Sequence, residues 1–147
     1  EQRLKWEVVD KIAAAHPFEV PEGLVRREME GILHELSHAG PDHPQRVEGD
    51  VAFRLKLEEA ARRRVKHALI LEAVARQEGI AIDPSEVDAE VGRLASILNE
   101  KPERLKAGLS REGRMEAMMA DLLERKVVDY LFSQAKILDN YEMITIP

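Results

Sequence analysis

The sequence predicts an all-α fold, and three observations carry the prediction. Apolar residues recur at three- and four-residue spacing through six segments, the period of a helix with one covered face. Proline, glycine or a capping residue punctuates those segments. No two runs of alternating apolar and polar residues flank a tight turn, so no strand pair is visible. Composition agrees: aromatic residues make up 4% of the chain and charged residues 34%, the profile of long amphipathic helices rather than of an aromatic-rich enzyme core.

The first helix is predicted over residues 3–15, where Leu4, Val8, Ile12 and Ala15 share one stripe. Pro17 stops it, because the residue before a proline is pushed out of the helical region. Pro21 opens a second helix over 21–37 at a position where a missing N–H costs nothing. Glu22 suits the positive end of that helix, and Val25, Met29, Ile32, Leu33 and Leu36 form its apolar stripe. Residues 38–50 hold two prolines and two glycines among few apolar side chains and read as a loop.

The third helix is predicted over 51–77, about 40 Å at ~1.5 Å per residue. It contains three adjacent arginines. Glu58 precedes Arg62 by four residues and Glu59 precedes Arg63 by four, the favourable order for surface pairs. Arg64 falls within the stripe Phe53, Leu57, Ala60, Ala61, Ala68, Leu71 and Ala75. A charge there must snorkel or meet a carboxylate from another helix, so Arg64 is expected to support packing. Gly79 ends this helix as a left-handed cap. "DPSE" then starts the fourth, over 84–98, with Asp83 as cap, Pro84 in the first turn and Glu86 reaching back. Its stripe is Val87, Val91, Leu94, Ala95 and Leu98. Pro102 opens a short fifth helix over 102–109, with Leu105 and Leu109 on one side. Ser110 is expected to cap a sixth over 111–135, whose wide apolar face includes Met115, Met118, Met119, Leu122, Leu123, Val127, Tyr130 and Leu131. The tail, 136–147, ends in "YEMITIP", strand-like in composition but without a partner.

The chain's 147 residues suit one domain. Its 28 acidic and 22 basic side chains give a formal net charge of -6, the wrong sign for a protein that neutralises phosphates, so nucleic acid is not expected as a partner. Cysteine is absent, which excludes disulfides and thiolate chemistry. No apolar run approaches a membrane span, and Glu1 to Asp10 is charged and amphipathic, unlike a signal peptide. The first residue is not Met, and the chain reads as a piece of a longer protein. No GxGxxG, Walker loop or nucleophile elbow is present, so neither ATP nor another cofactor is implied.

The remaining constellations have bland readings. His34 and His38 stand four apart with Asp42 and His43 following, a spacing that can bind zinc. Nothing like HExxH is present, and a polar helix end running into a loop is the preferred reading. His16 and His67 read as surface or junction residues. Glu86, Asp88 and Glu90 read as a solvated face, because alternate helical positions do not face one another. Met115, Met118 and Met119 divide between core and an exposed surface able to accept varied apolar partners.

Four stretches, in order, resemble one family. They are "VVDKIAAAHPFEVPEGLVRREME", "EEAARRRVKHALILEAVARQEGI", "DPSEVDAEVGRLAS" and "ERKVVDYLFSQAKI", and they are similar to the C-terminal chaperone domain of bacterial trigger factor. "LNEKPERLKAGLSREGR" departs from the family in lacking aromatic residues. The resemblance implies an elongated multi-helix domain with protruding arms, a cytoplasmic location, and ATP-independent holding of unfolded or nascent polypeptide. It places ribosome binding and prolyl isomerisation in other domains, so no catalytic residue transfers to this chain. The expected polypeptide contacts are Leu94, Ile97, Leu98, Leu105, Leu109, Met115, Met118, Met119 and Leu122. Arg64, Pro17, Pro21 and Pro84 are expected to be structural, no metal site is expected, and a weak homodimer is compatible. The alternative is an oligomerisation domain of a SurA-like chaperone-isomerase.

Overall fold

Six helices follow one another in the computed structural model, which describes the backbone of residues 1–38 and 49–145 and side chains through 136. They are α1 (Gln2–Ala15), α2 (Glu22–His38), α3 (Val51–Glu78), α4 (Pro84–Leu98), α5 (Pro102–Arg111) and α6 (Met115–Thr145). No strand occurs among the described residues, so the all-α prediction holds. The predicted loop lies, for residues 39–48, outside the described residues.

The chain divides into two compact units, Val9–Ile70 and Glu1–Val8 with Leu71–Pro147. In the first, Val20, Val25, Ala61 and Val65 form a core against which Met29, Ile32 and Leu69 pack. Pro17 and Pro21 bracket the turn that brings Val20 there. Ala15 is the last residue of α1, and the Pro21 carbonyl accepts the first bonds of α2, from Leu24 and Val25. The α1 stripe is rotated from the expected one. Val9 and Ala13 are buried, while Leu4 is 53% exposed. Position 9 is one residue round from the apolar ridge that the spacing picked out, and Asp10 beside it is drawn toward α3 by a charge.

That charge is Arg63, which does not pair with Glu59 as expected. Its Nε and Nη2 donate to the Asp10 carboxylate at 3.1 and 2.6 Å. Arg62 does meet Glu58, at 3.0 Å, and also donates to both oxygens of Glu22. Arg64 meets Glu28 and Glu35 of α2 at 3.4 and 3.6 Å, the cross-helix carboxylates its place in the stripe demanded. It snorkels, with half its side chain exposed. His67 is a correction: it is buried, with Nε2 2.8 Å from Asp10 Oδ1, because its position falls on the core side of α3 between Val65 and Ile70.

In the second unit the buried residues are Leu71, Ala75, Val87, Val91, Ala95, Leu109, Val127 and Val128, with Glu90 among them. α4 packs on α5 and α5 on α6. Gly79 has φ +65, and the Ile80 N–H bonds the Ala75 carbonyl at 2.9 Å, the six-to-one bond of a left-handed helix stop. Asn99 ends α4 with the same bond, Glu100 N–H to Ala95 carbonyl at 2.9 Å, at φ 54.

Two boundaries differ from expectation. Ser110 does not cap α6. It lies inside α5, which runs to Arg111 and stops at Gly113, φ +68, where the Arg114 N–H bonds the Leu109 carbonyl. The tail is not extended either, since α6 continues to Thr145. No glycine or proline interrupts residues 114–146, and a helix satisfies its own backbone where a lone strand would not.

Candidate functional site

The α4–α5–α6 layer carries the residues singled out in the sequence, and its geometry begins at the α4 N-terminus. Asp83 Oδ1 accepts from the Glu86 N–H at 3.1 Å while Glu86 Oε2 accepts from the Asp83 N–H at 2.9 Å. Pro84 occupies the first turn as expected. This reciprocal cap fixes the start of α4. Three ion pairs then tie its polar side to neighbouring helices, and they overturn the reading of a solvated acidic face. Lys126 of α6 meets Glu86 at 2.7 Å and also donates to the Ala81 carbonyl. Lys106 of α5 meets Asp88 at 2.7 Å. Glu90 is buried and takes Arg93 in a fork at 2.7 and 3.0 Å plus Arg125 of α6 at 2.7 Å.

The Arg93 fork, joined by Arg125 and opposed by burial, holds the Glu90 carboxyl down to about 2. Lys126 likewise lowers Glu86, with help from the Asp83 backbone N–H. The Asp129 carboxylate accepts from Lys5 Nζ at 2.7 Å and raises that ammonium. Together these groups rim a groove of about 530 Å3, whose floor includes Trp6, Ile82, Leu122 and Val128. All three rim carboxylates are paired with cations. They fasten helices and are not poised to move a proton.

The expected polypeptide contacts separate by exposure. Ile97 is 67% exposed, Leu98 58% and Met119 39%. Leu94, Leu105, Met115, Met118 and Leu122 are half-buried, each keeping a face toward solvent, and Leu122 lines the groove. Leu109 is buried at 8%. It cannot touch a guest in this arrangement, because its position closes the α5 stop and places it inside. Outside this layer, Leu24, Leu33 and Leu36 of α2 and Val51 and Leu55 of α3 are also exposed. The sequence reading missed them as surface. Val51 and Leu55 stand four apart and off the main α3 stripe, a signal that a second apolar ridge was present.

His34 and His38 lie exposed on the last turns of α2 with ring centroids 4.3 Å apart. No group of three or more potential ligands gathers among the described residues. No described helix is long and apolar enough to cross a membrane.

Comparison with known proteins places this architecture. The family model of the bacterial trigger factor protein C-terminus matches residues 1–133. Trigger factor of Halothermothrix orenii is 30% identical over 138 residues, covering 88% of this chain and 32% of that protein. Trigger factor of Thermodesulfovibrio yellowstonii is 28% identical over 144 residues, 97% of this chain and 33% of that protein. That of Bacillus cytotoxicus is 31% identical over 144 residues, 92% and 33%. The chain thus spans about a third of the length of these curated relatives. A solved structure of trigger factor domains from Thermotoga maritima shares the fold, with a TM-score of 0.72 at 22% identity over 90% of this chain and 81% of that one. These matches do not favour the SurA-like alternative. Six helices in this order, with a family match running from the first residue to Phe132 and beyond, show that the chain belongs to the bacterial trigger factor C-terminal family.

Proposed function

We propose that this chain is the polypeptide-holding domain of an ATP-independent chaperone, binding unfolded or nascent segments through apolar side chains left uncovered on its helices. One observation carries the reading: among the described residues, ten large apolar side chains are more than a third exposed, Ile97, Leu98 and Met119 among them. Side chains of this size left uncovered offer apolar area to a partner. The proposed contacts are Leu94, Ile97, Leu98, Leu105, Met115, Met118, Met119 and Leu122, with Leu109 underpinning them. Methionines at such a surface repack around different guests, which suits weak and unselective holding. Family membership supports a parent protein that acts in the cytoplasm and meets the ribosome and isomerises prolines through other domains.

The test is suppression of aggregation of a chemically unfolded client. The chain at stoichiometric excess is expected to suppress light scattering. Ile97→Asp with Met119→Asp is expected to lose most of that effect while keeping the helical circular-dichroism signal. No suppression by the unaltered chain overturns the reading.

A further inference from the structure

We propose that His34 and His38 form a two-point clamp for a divalent transition-metal ion, copper(II) or nickel(II), at the C-terminal end of α2. The two residues are one turn apart on the same helix face, and both are exposed, so an ion reaches them without any rearrangement of the fold. Their ring centroids are 4.3 Å apart. Two imidazoles bound at a right angle through metal–nitrogen bonds of about 2.1 Å place their centroids roughly 4.5 Å apart, and a tetrahedral angle spreads them further. The observed spacing therefore suits the cis positions of a square-planar or octahedral ion better than tetrahedral zinc. The affinity order of divalent ions at nitrogen sites points the same way, to copper(II) first.

Ser37 fixes which nitrogen is offered. Its hydroxyl donates to the His34 carbonyl at 2.7 Å and has only one proton to give. Its Oγ also lies 3.2 Å from His38 Nδ1, and there it can only accept. A hydrogen bond from Nδ1 to Ser37 leaves Nε2 as the nitrogen for an ion, the arrangement by which an outer hydrogen bond orients a metal-binding imidazole. The carbonyl end of α2 adds a partial negative charge that favours a cation. No third protein ligand joins the pair among the described residues.

The experiment titrates copper(II) chloride into the metal-free chain and into its variants His34→Ala, His38→Ala and Ser37→Ala, following binding by calorimetry and coordination by electron paramagnetic resonance. The unaltered protein is expected to bind one ion with two imidazole nitrogens in the spectrum. Either histidine variant is expected to bind at least tenfold more weakly and to lose one nitrogen. Ser37→Ala is expected to keep both nitrogens with an affinity lowered several-fold. Equal copper affinity in the histidine variants and the unaltered protein, or a spectrum without two imidazoles, overturns the proposal. Bound rings that interact only by stacking give that second result.

Discussion

Replacing Glu90 with Gln tests the central clamp of the α4–α5–α6 layer. The carboxylate is 8% exposed and receives three charge-assisted bonds, two from Arg93 and one from Arg125. Glutamine keeps the shape, but its NH2 points a donor at a guanidinium donor and the negative charge is gone. A carboxyl moved from 4.5 to about 2 corresponds to a ceiling of about 3–4 kcal/mol at ~1.4 kcal/mol per pH unit. Both arginines are 51% exposed, so water screens part of it and ~1–2 kcal/mol is the expected loss. At this chain length that lowers the melting midpoint by roughly 5 °C. The sign with pH follows from the lowered carboxyl. The unfolded chain takes up a proton near 4.5 while the folded one resists to about 2, so the wild-type advantage is complete above 4.5 and shrinks as pH falls between those values. Denaturant titrations of both proteins from pH 7 to pH 3 measure the gap, which is expected to be roughly halved near pH 3. An unchanged midpoint at pH 7, or a gap independent of pH, refutes the clamp.

Two further outcomes are expected. Gly113→Ala adds a Cβ in open space but at φ +68 and is expected to destabilise by ~1–2 kcal/mol. Gly108→Ala, inside α5 and also in open space, is expected to stabilise by ~0.5–1 kcal/mol, so paired thermal melts must move in opposite directions. Burial, opposed by Asp10, lowers the His67 imidazole from 6.5. Its ring is therefore expected to titrate below 6.5 by nuclear magnetic resonance, and Asp10→Asn, which removes the carboxylate favouring the charged ring, is expected to lower that midpoint again.

Much of this fold was legible because its punctuation is chemical. Asp83, Pro84 and Glu86 mark the start of α4 to the residue, and Gly79 marks the end of α3. Where two signals competed, the reading slipped. Ser110 is a good cap residue, yet Gly113 is the only position nearby that takes a left-handed φ without strain, and it set the boundary. The family resemblance rested on ordered stretches rather than on any catalytic pattern. What the sequence hid are interactions between distant positions. Glu90 looks like any acid on a charged helix until Arg125, thirty-five residues away, is brought to it. Asp10 and Arg63, fifty-three apart, displaced the local Glu59 pair for the same reason. Exposure of Leu33, Leu36, Val51 and Leu55 was equally invisible, since a stripe announces apolar surface without saying whether another helix covers it.

The distribution of side-chain sizes ties stability to the proposed activity. The largest side chains that are fully buried are valines, Val9, Val25, Val91 and Val127; Leu57, Ile70, Leu71 and Leu109 are buried less completely, and ten other large apolar side chains, Ile97, Leu98, Met119 and Phe18 among them, are exposed. Small buried residues give up methylene burial, about 0.8 kcal/mol each, and cross-helix ion pairs such as Lys126–Glu86 and Arg62–Glu22 align helices more than they stabilise them. A chain built this way forgoes part of its own cohesion and leaves several larger apolar groups available for contact. Ile97, Leu98 and Met119 are 67%, 58% and 39% exposed, so covering them with a guest recovers that fraction of ~1.5–3 kcal/mol each, roughly 2.5–5 kcal/mol in all. Part of that sum is lost in ordering an unfolded segment. The remainder corresponds to a dissociation constant of about a millimolar or weaker for these three side chains, the brief hold that the proposed activity requires.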